Sequence, residues 1–208
     1  MESIIQSCRE MAYQVYSKFD ASHDMQHIDR VLGNAKKISA AEPQADEFIV
    51  ELGVLLHDID DPKYLSKGNP TAKDILEVHE LDAAVISEIL TCIAAVSFSG
   101  GNEQELPSIE AAIMRDADRL DAIGAIGIAR AFAFGGAKGR KLYDLSEVPR
   151  DEMTENEYRK KEVATVTHFY EKLLKIKGLM VTAEGKRLAQ ERHDFMESFL
   201  RQLYHEVD

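Results

Sequence analysis

Apolar residues recur at the three- and four-residue spacing of amphipathic helices along almost the whole chain. The segment 48–56 is apolar on most sides, so its helix is expected to be central and buried. No stretch shows the alternation of a strand, and no period repeats. The sequence therefore predicts an all-α protein. Its other helices are predicted from Ile4 to Asp20, from about residue 28 to before Pro43, and over 71–78 (starting at Pro70-Thr71), 82–97, 107–122, 123–134, about 155–177 and 182–206.

Composition and charge limit the classes of partner. The 208 residues are 45 % hydrophobic, which is enough to bury a core without disulfides. Because 37 acidic residues outnumber 25 basic ones, the net charge of −12 excludes nucleic-acid polymers as partners. Small anionic substrates remain compatible, since they respond to the local field.

Cysteine usage and the N-terminal sequence predict a soluble, cytoplasmic protein. Cys8 and Cys92 lie far apart in apolar helical contexts, which fits a reducing compartment and not a disulfide framework. The first ten residues lack the basic and apolar regions of a signal peptide, and no apolar run approaches the ~20 residues of a membrane span. We expect no membrane partner.

A polar pair, His57-Asp58, stands at the end of the most apolar helix. An ionised carboxylate taken out of water costs several kcal/mol unless a positive group compensates it. Two other polar residues that could lie beside apolar helices are His27 and Asp118. Asp118 belongs to a cluster with Asp116 and Asp121. A divalent metal would compensate two carboxylates. The alternative is a core histidine beside an aspartate that caps a helix end.

The order His27, His57-Asp58, Asp118 resembles the HD superfamily of metal-dependent phosphohydrolases. The resemblance implies one all-α HD domain over 1–208, with a core of about 20–125 and a C-terminal helical extension of about 126–208. One stand-alone bacterial subgroup, in which nucleoside triphosphate pyrophosphohydrolase activity occurs, is similar over more of the chain. The similar stretches are 22–31, 55–59, 97–101, 115–127, 132–140 and 191–193.

The resemblance implies that His27, His57, Asp58 and Asp118 hold one divalent metal ion. Mixed nitrogen and oxygen ligands suit Mn²⁺, Fe²⁺, Co²⁺, Ni²⁺ or Zn²⁺ better than Ca²⁺ or Mg²⁺. Mn²⁺ is expected first, because the resemblance implies it. Such an ion lowers the pKa of water and polarises a phosphoryl group.

A general acid/base is expected among the residues that follow the His-Asp pair. Asp61 is the candidate, with Asp58 as the second catalytic carboxylate, because Asp61 shares a helix face with His57 if the helix continues through Ile59. Asp60 is an alternative. Either residue could instead merely end the helix before Pro62.

Basic side chains near the site are candidates for binding phosphate. Arg30 lies three residues after His27 on the same helix, and Gly-rich sequence flanks Lys138 and Arg140. Lys63 and His23 complete the candidate set. The alternative for the Gly-rich segment with Lys138 and Arg140 is a plain turn between two helices. The alternative for His23 is an ordinary loop histidine.

The resemblance predicts hydrolysis of (deoxy)nucleoside triphosphates to monophosphate and pyrophosphate. The alternatives are a 5′-nucleotide phosphomonoesterase and a non-catalytic nucleotide-binding HD sensor. A two-metal phosphodiesterase or di-iron oxygenase is less favoured, because His79 is the only histidine between His57 and Asp118. The expected partner is a small phosphorylated molecule, and both a monomer and a homodimer remain open.

Overall fold

The regular elements of this computed structural model are all helical over the residues that it describes, which are 1–18, 24–61, 68–96, 105–150 and 163–207. This confirms the predicted all-α class. In chain order the helices are α1 (Glu2–Tyr16), α2 (Met25–Ser39), α3 (Glu47–Leu56), α4 (Ala72–Glu77), α5 (Ala83–Val96), α6 (Ile109–Asp121), α7 (Gly124–Ala137), α8 (Thr165–Glu171), a 3₁₀-helix (Leu173–Leu179) and α9 (Ala183–Val207).

Side-chain caps set the beginnings of three helices in the first half of the chain. Asp24 accepts a hydrogen bond from the backbone N–H of His27 at the start of α2, and Asp46 accepts from the first turn of α3. Thr71 and Asp74 form a reciprocal capping box at the start of α4. The predicted helix start at Pro70-Thr71 is confirmed, because the hydroxyl of Thr71 satisfies a backbone N–H that has no partner within the helix.

The described residues group into two compact units, of which the first comprises residues up to 96 together with 105–118. Helix α3 lies at the centre of this unit and packs against α1, α2 and α5. Seven of its ten residues are buried, which confirms the predicted central helix. They are Ile49, Val50, Leu52, Gly53, Val54, Leu55 and Leu56.

The second unit comprises residues 119–207. Helix α9 packs against α7 and the 3₁₀-helix, and α8 contacts both of the latter elements. An aromatic cluster joins these helices: the ring centroid of Phe199 lies 5.8 Å from that of Phe132 and 6.1 Å from that of Phe169. The guanidinium of Arg150 binds the buried carboxylate of Glu171 at 2.7 Å. One HD domain over the whole chain stays a prediction.

The helix predicted over 155–177 is interrupted. Its first part lies outside the described residues, and the described part contains α8, which ends before Lys172. The backbone of Lys172 turns to φ −136° and ψ −60°, and the chain continues as the tighter 3₁₀-helix. Apolar periodicity alone does not distinguish one continuous helix from two shorter ones.

None of the described helices is by itself long and apolar enough to cross a bilayer. Helices α6 and α7 together, bent at their junction, reach that length and apolar composition, but by length and composition alone.

Two glycines of α7 differ in the space around them, and this difference predicts opposite effects on stability. A Cβ at Gly127 would lie 2.3 Å from the carbonyl oxygen of Ala122, whereas a Cβ at Gly136 would meet no atom within 4 Å. We expect Gly127→Ala to lower the free energy of unfolding by about 1–3 kcal/mol, because the backbone must shift. Gly136→Ala should raise it by up to about 1 kcal/mol, since alanine favours helix. Urea denaturation followed by circular dichroism measures both, and equal stability of the two variants would contradict the packing argument.

Candidate metal centre

Four side chains of the first unit converge on one point. His27 lies in the first turn of α2, His57 and Asp58 directly follow α3, and Asp118 lies in the last turn of α6. The Nε2 atom of His27 is 3.6 Å from Asp58 Oδ2 and 3.4 Å from Asp118 Oδ1. The Nε2 atom of His57 is 3.5 Å and 3.8 Å from the same two oxygens. Two imidazoles thus face two carboxylates within a few ångströms.

The His57 ring is oriented by the helix that precedes it. Its Nδ1 lies 2.8 Å from the carbonyl oxygen of Val54. A carbonyl only accepts, so Nδ1 donates the proton of the neutral ring and Nε2 keeps its lone pair. Within the described part of the chain, this buried Nε2 has no hydrogen-bond partner. A buried nitrogen lone pair with no donor in reach is well suited to a metal ligand.

The two carboxylates create a field that favours a cation at the cluster. Burial disfavours the charged form of the His57 imidazole and by itself lowers the pKa. The negative charges of Asp58 and Asp118, together with the carbonyl bonded to Nδ1, outweigh burial, so the pKa of His57 is raised. The same charges would stabilise a divalent ion.

Burial differs between the two kinds of ligand. The side chains of His27 and His57 are 2 % and 5 % exposed, whereas those of Asp58 and Asp118 are 17 % and 35 % exposed. The imidazoles therefore form the floor of the site, and the carboxylate side is open to solvent.

The donor set fits a divalent transition metal. One nitrogen from each of His27 and His57 and one oxygen of Asp118 lie within 4.8 Å of one another, and Asp58 adds a second carboxylate beside both nitrogens. Neutral imidazoles with two carboxylates balance a charge of 2+ and match the ligand preferences of first-row divalent ions.

Comparison with known proteins agrees with this geometry. The HD domain family model matches residues 25–123, which include all four side chains of the cluster. The chain is 35 % identical to the uncharacterized protein YpgQ of Bacillus subtilis over 204 residues, covering 96 % of this chain and 91 % of that protein. The chain belongs to the HD superfamily.

Solved structures of HD relatives share the fold over nearly the whole length. A Lactobacillus plantarum protein superimposes with a TM-score of 0.82 at 33 % identity, covering 100 % of this chain and 98 % of that one. An HD-superfamily hydrolase from Bacillus thuringiensis gives 0.79 at 37 % identity, covering 99 % and 97 %. YpgQ in complex with ADP gives 0.79 at 34 % identity, covering 99 % and 95 %. This fold supports metal-dependent phosphohydrolase activity.

The Asp60 carboxylate, which follows the HD pair, has a structural contact. The Asp60 carboxylate accepts a hydrogen bond from the backbone N–H of Ala72 at 3.2 Å, which satisfies the first turn of α4. Burial, and then the charge of Asp74, raise the pKa of Asp60 against this hydrogen bond. The Asp60 carboxylate therefore has a structural role at the start of α4.

The turn after α3 differs from the continuous helix on which the shared-face argument for Asp61 depended. Helix α3 ends at Leu56, and the next backbone bonds run from Ile59 N–H to the Leu56 carbonyl and from Asp61 N–H to the Asp58 carbonyl. These hydrogen bonds join residues i and i+3, and not i and i+4 as in an α-helix, so the shared-face argument for His57 and Asp61 does not apply. The catalytic role of Asp61 stays a prediction.

The predicted phosphate-binding residues are distributed over the molecule. Arg30 is half-buried on α2, whereas His23 and Lys63 lie outside the described residues. Lys138 and Arg140 belong to the second unit, where both cations lie over the Phe134 ring at 5.8 Å and 5.2 Å from its centroid. Their substrate roles stay predictions.

The three aspartates of α6 have different surroundings. Asp118 alone meets the histidines, Asp116 is fully buried, and Asp121 binds Arg130 Nη1 at 2.6 Å. The metal hypothesis therefore needs only Asp118 from this cluster.

Sequence reasoning missed two polar residues that support the site. The Nδ2 of Asn34 donates to the carbonyl of Ala117 at 3.0 Å, which ties α2 to the residue before Asp118. The hydroxyl of Tyr16 donates to the carbonyl of Leu55 at 3.0 Å, next to the HD turn. An asparagine seven residues after His27, on the apolar face of α2, was a usable signal, because buried amides need partners. Tyr16 fits the apolar face of α1, so the sequence pattern gives no signal of its hydrogen bond.

Asp58 and Asp60 provide a matched test of the metal site. We expect Asp58→Asn to weaken Mn²⁺ binding by more than the ~10–100-fold that loss of an outer partner costs, because a charged ligand is removed. Asp60→Asn should keep the metal affinity, since its carboxylate contacts α4. Isothermal titration of metal-free protein measures both affinities. Equal affinities for the two variants would contradict the ligand assignment of Asp58.

Proposed function

We propose that the protein hydrolyses (deoxy)nucleoside triphosphates to the monophosphate and pyrophosphate, using a divalent metal held by His27, His57, Asp58 and Asp118. The convergence of two buried imidazole nitrogens with two partly exposed carboxylate oxygens carries this proposal. A nucleotide substrate is supported by the relative YpgQ, which was solved in complex with ADP. ADP contains both a nucleoside and a phosphoanhydride bond.

The residues of the site suit addition of water across a phosphoanhydride. A divalent ion bound there would activate water and stabilise the negative charge that develops on the phosphoryl oxygens. The chain itself supplies the orientation: Val54 fixes the His57 ring, and Asp24 fixes the helix start that carries His27. Buried imidazoles exclude solvent from one side, and the exposed carboxylate side admits the substrate.

Mn²⁺ is the metal that we propose. Two nitrogen and two oxygen donors disfavour Ca²⁺ and Mg²⁺, which prefer oxygen ligands. Manganese accepts carboxylates more readily than the softer ions do, and it also binds imidazole. Fe²⁺, Co²⁺, Ni²⁺ and Zn²⁺ are compatible with the same donors.

Asp61 is the general acid/base in this proposal. Asp60 is engaged at the start of α4, so it is poorly placed to move a proton at the substrate. Asp61 follows in the same turn, with its backbone N–H bonded to the carbonyl of Asp58. Asp61 thus lies three residues after the candidate metal ligand Asp58, and its carboxylate would move a proton where it comes within hydrogen-bond reach of the water or the leaving oxygen.

We propose basic side chains that bind phosphate in each of the two units, and the candidates of each unit are considered separately. Arg30 is the candidate on α2 of the first unit. In the second unit, Lys138 and Arg140 lie against Phe134, and the buried Nε of Arg140 has no hydrogen-bond partner among the described residues. An unsatisfied guanidinium nitrogen favours binding of an anion.

A nucleotide panel tests the reaction. With Mn²⁺ present we expect pyrophosphate release from dNTPs and NTPs, with formation of the matching monophosphate, because water adds between the α and β phosphates. Coupled pyrophosphate and orthophosphate assays, with chromatography of the nucleotides, identify the products. Asp58→Asn serves as the inactive control.

Other products would point to the alternatives. Orthophosphate release from nucleoside monophosphates would identify a 5′-nucleotide phosphomonoesterase instead. Nucleotide binding without turnover by any divalent metal, in wild type and Asp58→Asn alike, would leave a nucleotide sensor and reject the enzyme.

The pair Asp60 and Asp61 allows a test of proton transfer. We expect Asp61→Asn to lower kcat by about 10²–10⁴-fold with little change in Mn²⁺ affinity, since the amide cannot exchange a proton. Asp60→Asn should keep a kcat close to wild type. Steady-state kinetics at saturating metal measure both, together with the pH profile of kcat/KM, which should lose one limb in Asp61→Asn only. The reverse pattern would assign the role to Asp60.

A further inference from the structure

The turn that carries His57 and Asp58 begins where α3 ends, at Leu56. Neighbouring residues on a helix do not face each other, yet His57 Nε2 and Asp58 Oδ2 lie 3.5 Å apart. The backbone at this helix end therefore determines where the two side chains lie. The end of a helix also leaves carbonyl groups without intrahelical partners, and these need other donors.

Tyr16 supplies that donor at the end of α3. It is the last residue of α1, and its side chain is 0 % exposed. Its hydroxyl donates to the carbonyl of Leu55 at 3.0 Å. Leu55 lies three residues before Asp58, so one buried hydroxyl joins the end of α1 to the last turn of α3, directly before the candidate metal ligands.

The position of Tyr16 in the chain makes this contact informative. It lies before residues 25–123, the part matched by the HD domain family model. Helix α1 packs against α3, so the ring is held in place by the core of the first unit. The phenol therefore orients the backbone of the site from a segment that the family match does not include.

We infer that Tyr16 is a positioning residue, which holds the backbone of the His57-Asp58 turn in the conformation that brings both side chains to one metal ion. This inference rests on the proposed metal site. Tyr16 acts in this proposal through the Leu55 carbonyl, and not as a metal ligand or a substrate contact. Outer partners of metal ligands typically change affinity by about 10–100-fold when they are lost.

The test is removal of one oxygen atom. Tyr16→Phe keeps the ring in the core and deletes the hydroxyl. We expect Mn²⁺ to bind about 10-fold or more weakly to metal-free Tyr16→Phe in isothermal titration. Tyr13→Phe is the matched control, because Tyr13 lies on the same helix and is 59 % exposed. It should bind Mn²⁺ as wild type does.

A second control separates positioning from general loss of stability. Ile89→Val removes one methylene from a fully buried side chain of α5 and should lower the melting temperature. If Tyr16 acts by positioning, Ile89→Val keeps wild-type Mn²⁺ affinity. If Tyr16→Phe folds poorly, it is tested with Gly33→Ala, which adds a methyl on α2 with no atom within 4 Å and favours helix. Gly33→Ala alone is then the reference.

The outcomes distinguish this inference from the proposed function. Wild-type Mn²⁺ affinity in Tyr16→Phe, or an equal loss in Ile89→Val, would overturn the positioning role while the metal site stands. If wild type itself binds no divalent metal, the proposed function fails first. Weakened metal binding confined to Tyr16→Phe supports the inference.

Discussion

Two partly exposed carboxylates lie within about 4 Å of two buried imidazole nitrogens, and this cluster at the meeting point of α2, α3 and α6 favours a compensating positive charge. The raised pKa of His57 shows the direction of the field, because the charges of Asp58 and Asp118 overcome the burial of the ring. A divalent ion would compensate the carboxylates better than a proton does, since it could engage several of the side chains at once. The four side chains meet because α2 begins near them and both α3 and α6 end near them.

The short turn after α3 carries both folding and chemistry. Asp58 faces the histidines, whereas Asp60, two residues later, accepts from the first N–H of α4. Two carboxylates that are two residues apart therefore have different partners. The buried hydroxyl of Tyr16 bonds the Leu55 carbonyl at the end of α3, and backbone hydrogen bonds between residues i and i+3 form the turn that follows. The hydrogen bonds that satisfy the helix ends and the candidate metal ligand Asp58 thus lie in the same short segment.

Much of the fold followed from periodicity and caps, whereas the supports of the site did not. The burial of α3 and the start of α4 at Thr71 were predictable, because apolar spacing and a capping residue are local signals. The grouping of His27, His57, Asp58 and Asp118 was predicted from the pattern of the HD superfamily, not from spacing. Tyr16 could not be predicted, since its hydrogen bond joins the end of α1 to the last turn of α3, 39 residues later. The break at Lys172 likewise depends on a backbone conformation that no residue pattern specifies.

The net charge of −12 is compatible with an anionic substrate because the relevant field is local. Screening at physiological salt limits exposed charges to about 8 Å, so distant surface carboxylates contribute little at the metal position. Asp58 and Asp118 count toward the net charge, but a bound divalent ion would neutralise them and could still polarise a phosphate oxygen as a Lewis acid. The acidic composition thus disfavours polymers of nucleic acid, which would extend over the whole surface. It does not disfavour a single nucleotide whose phosphates reach only the centre.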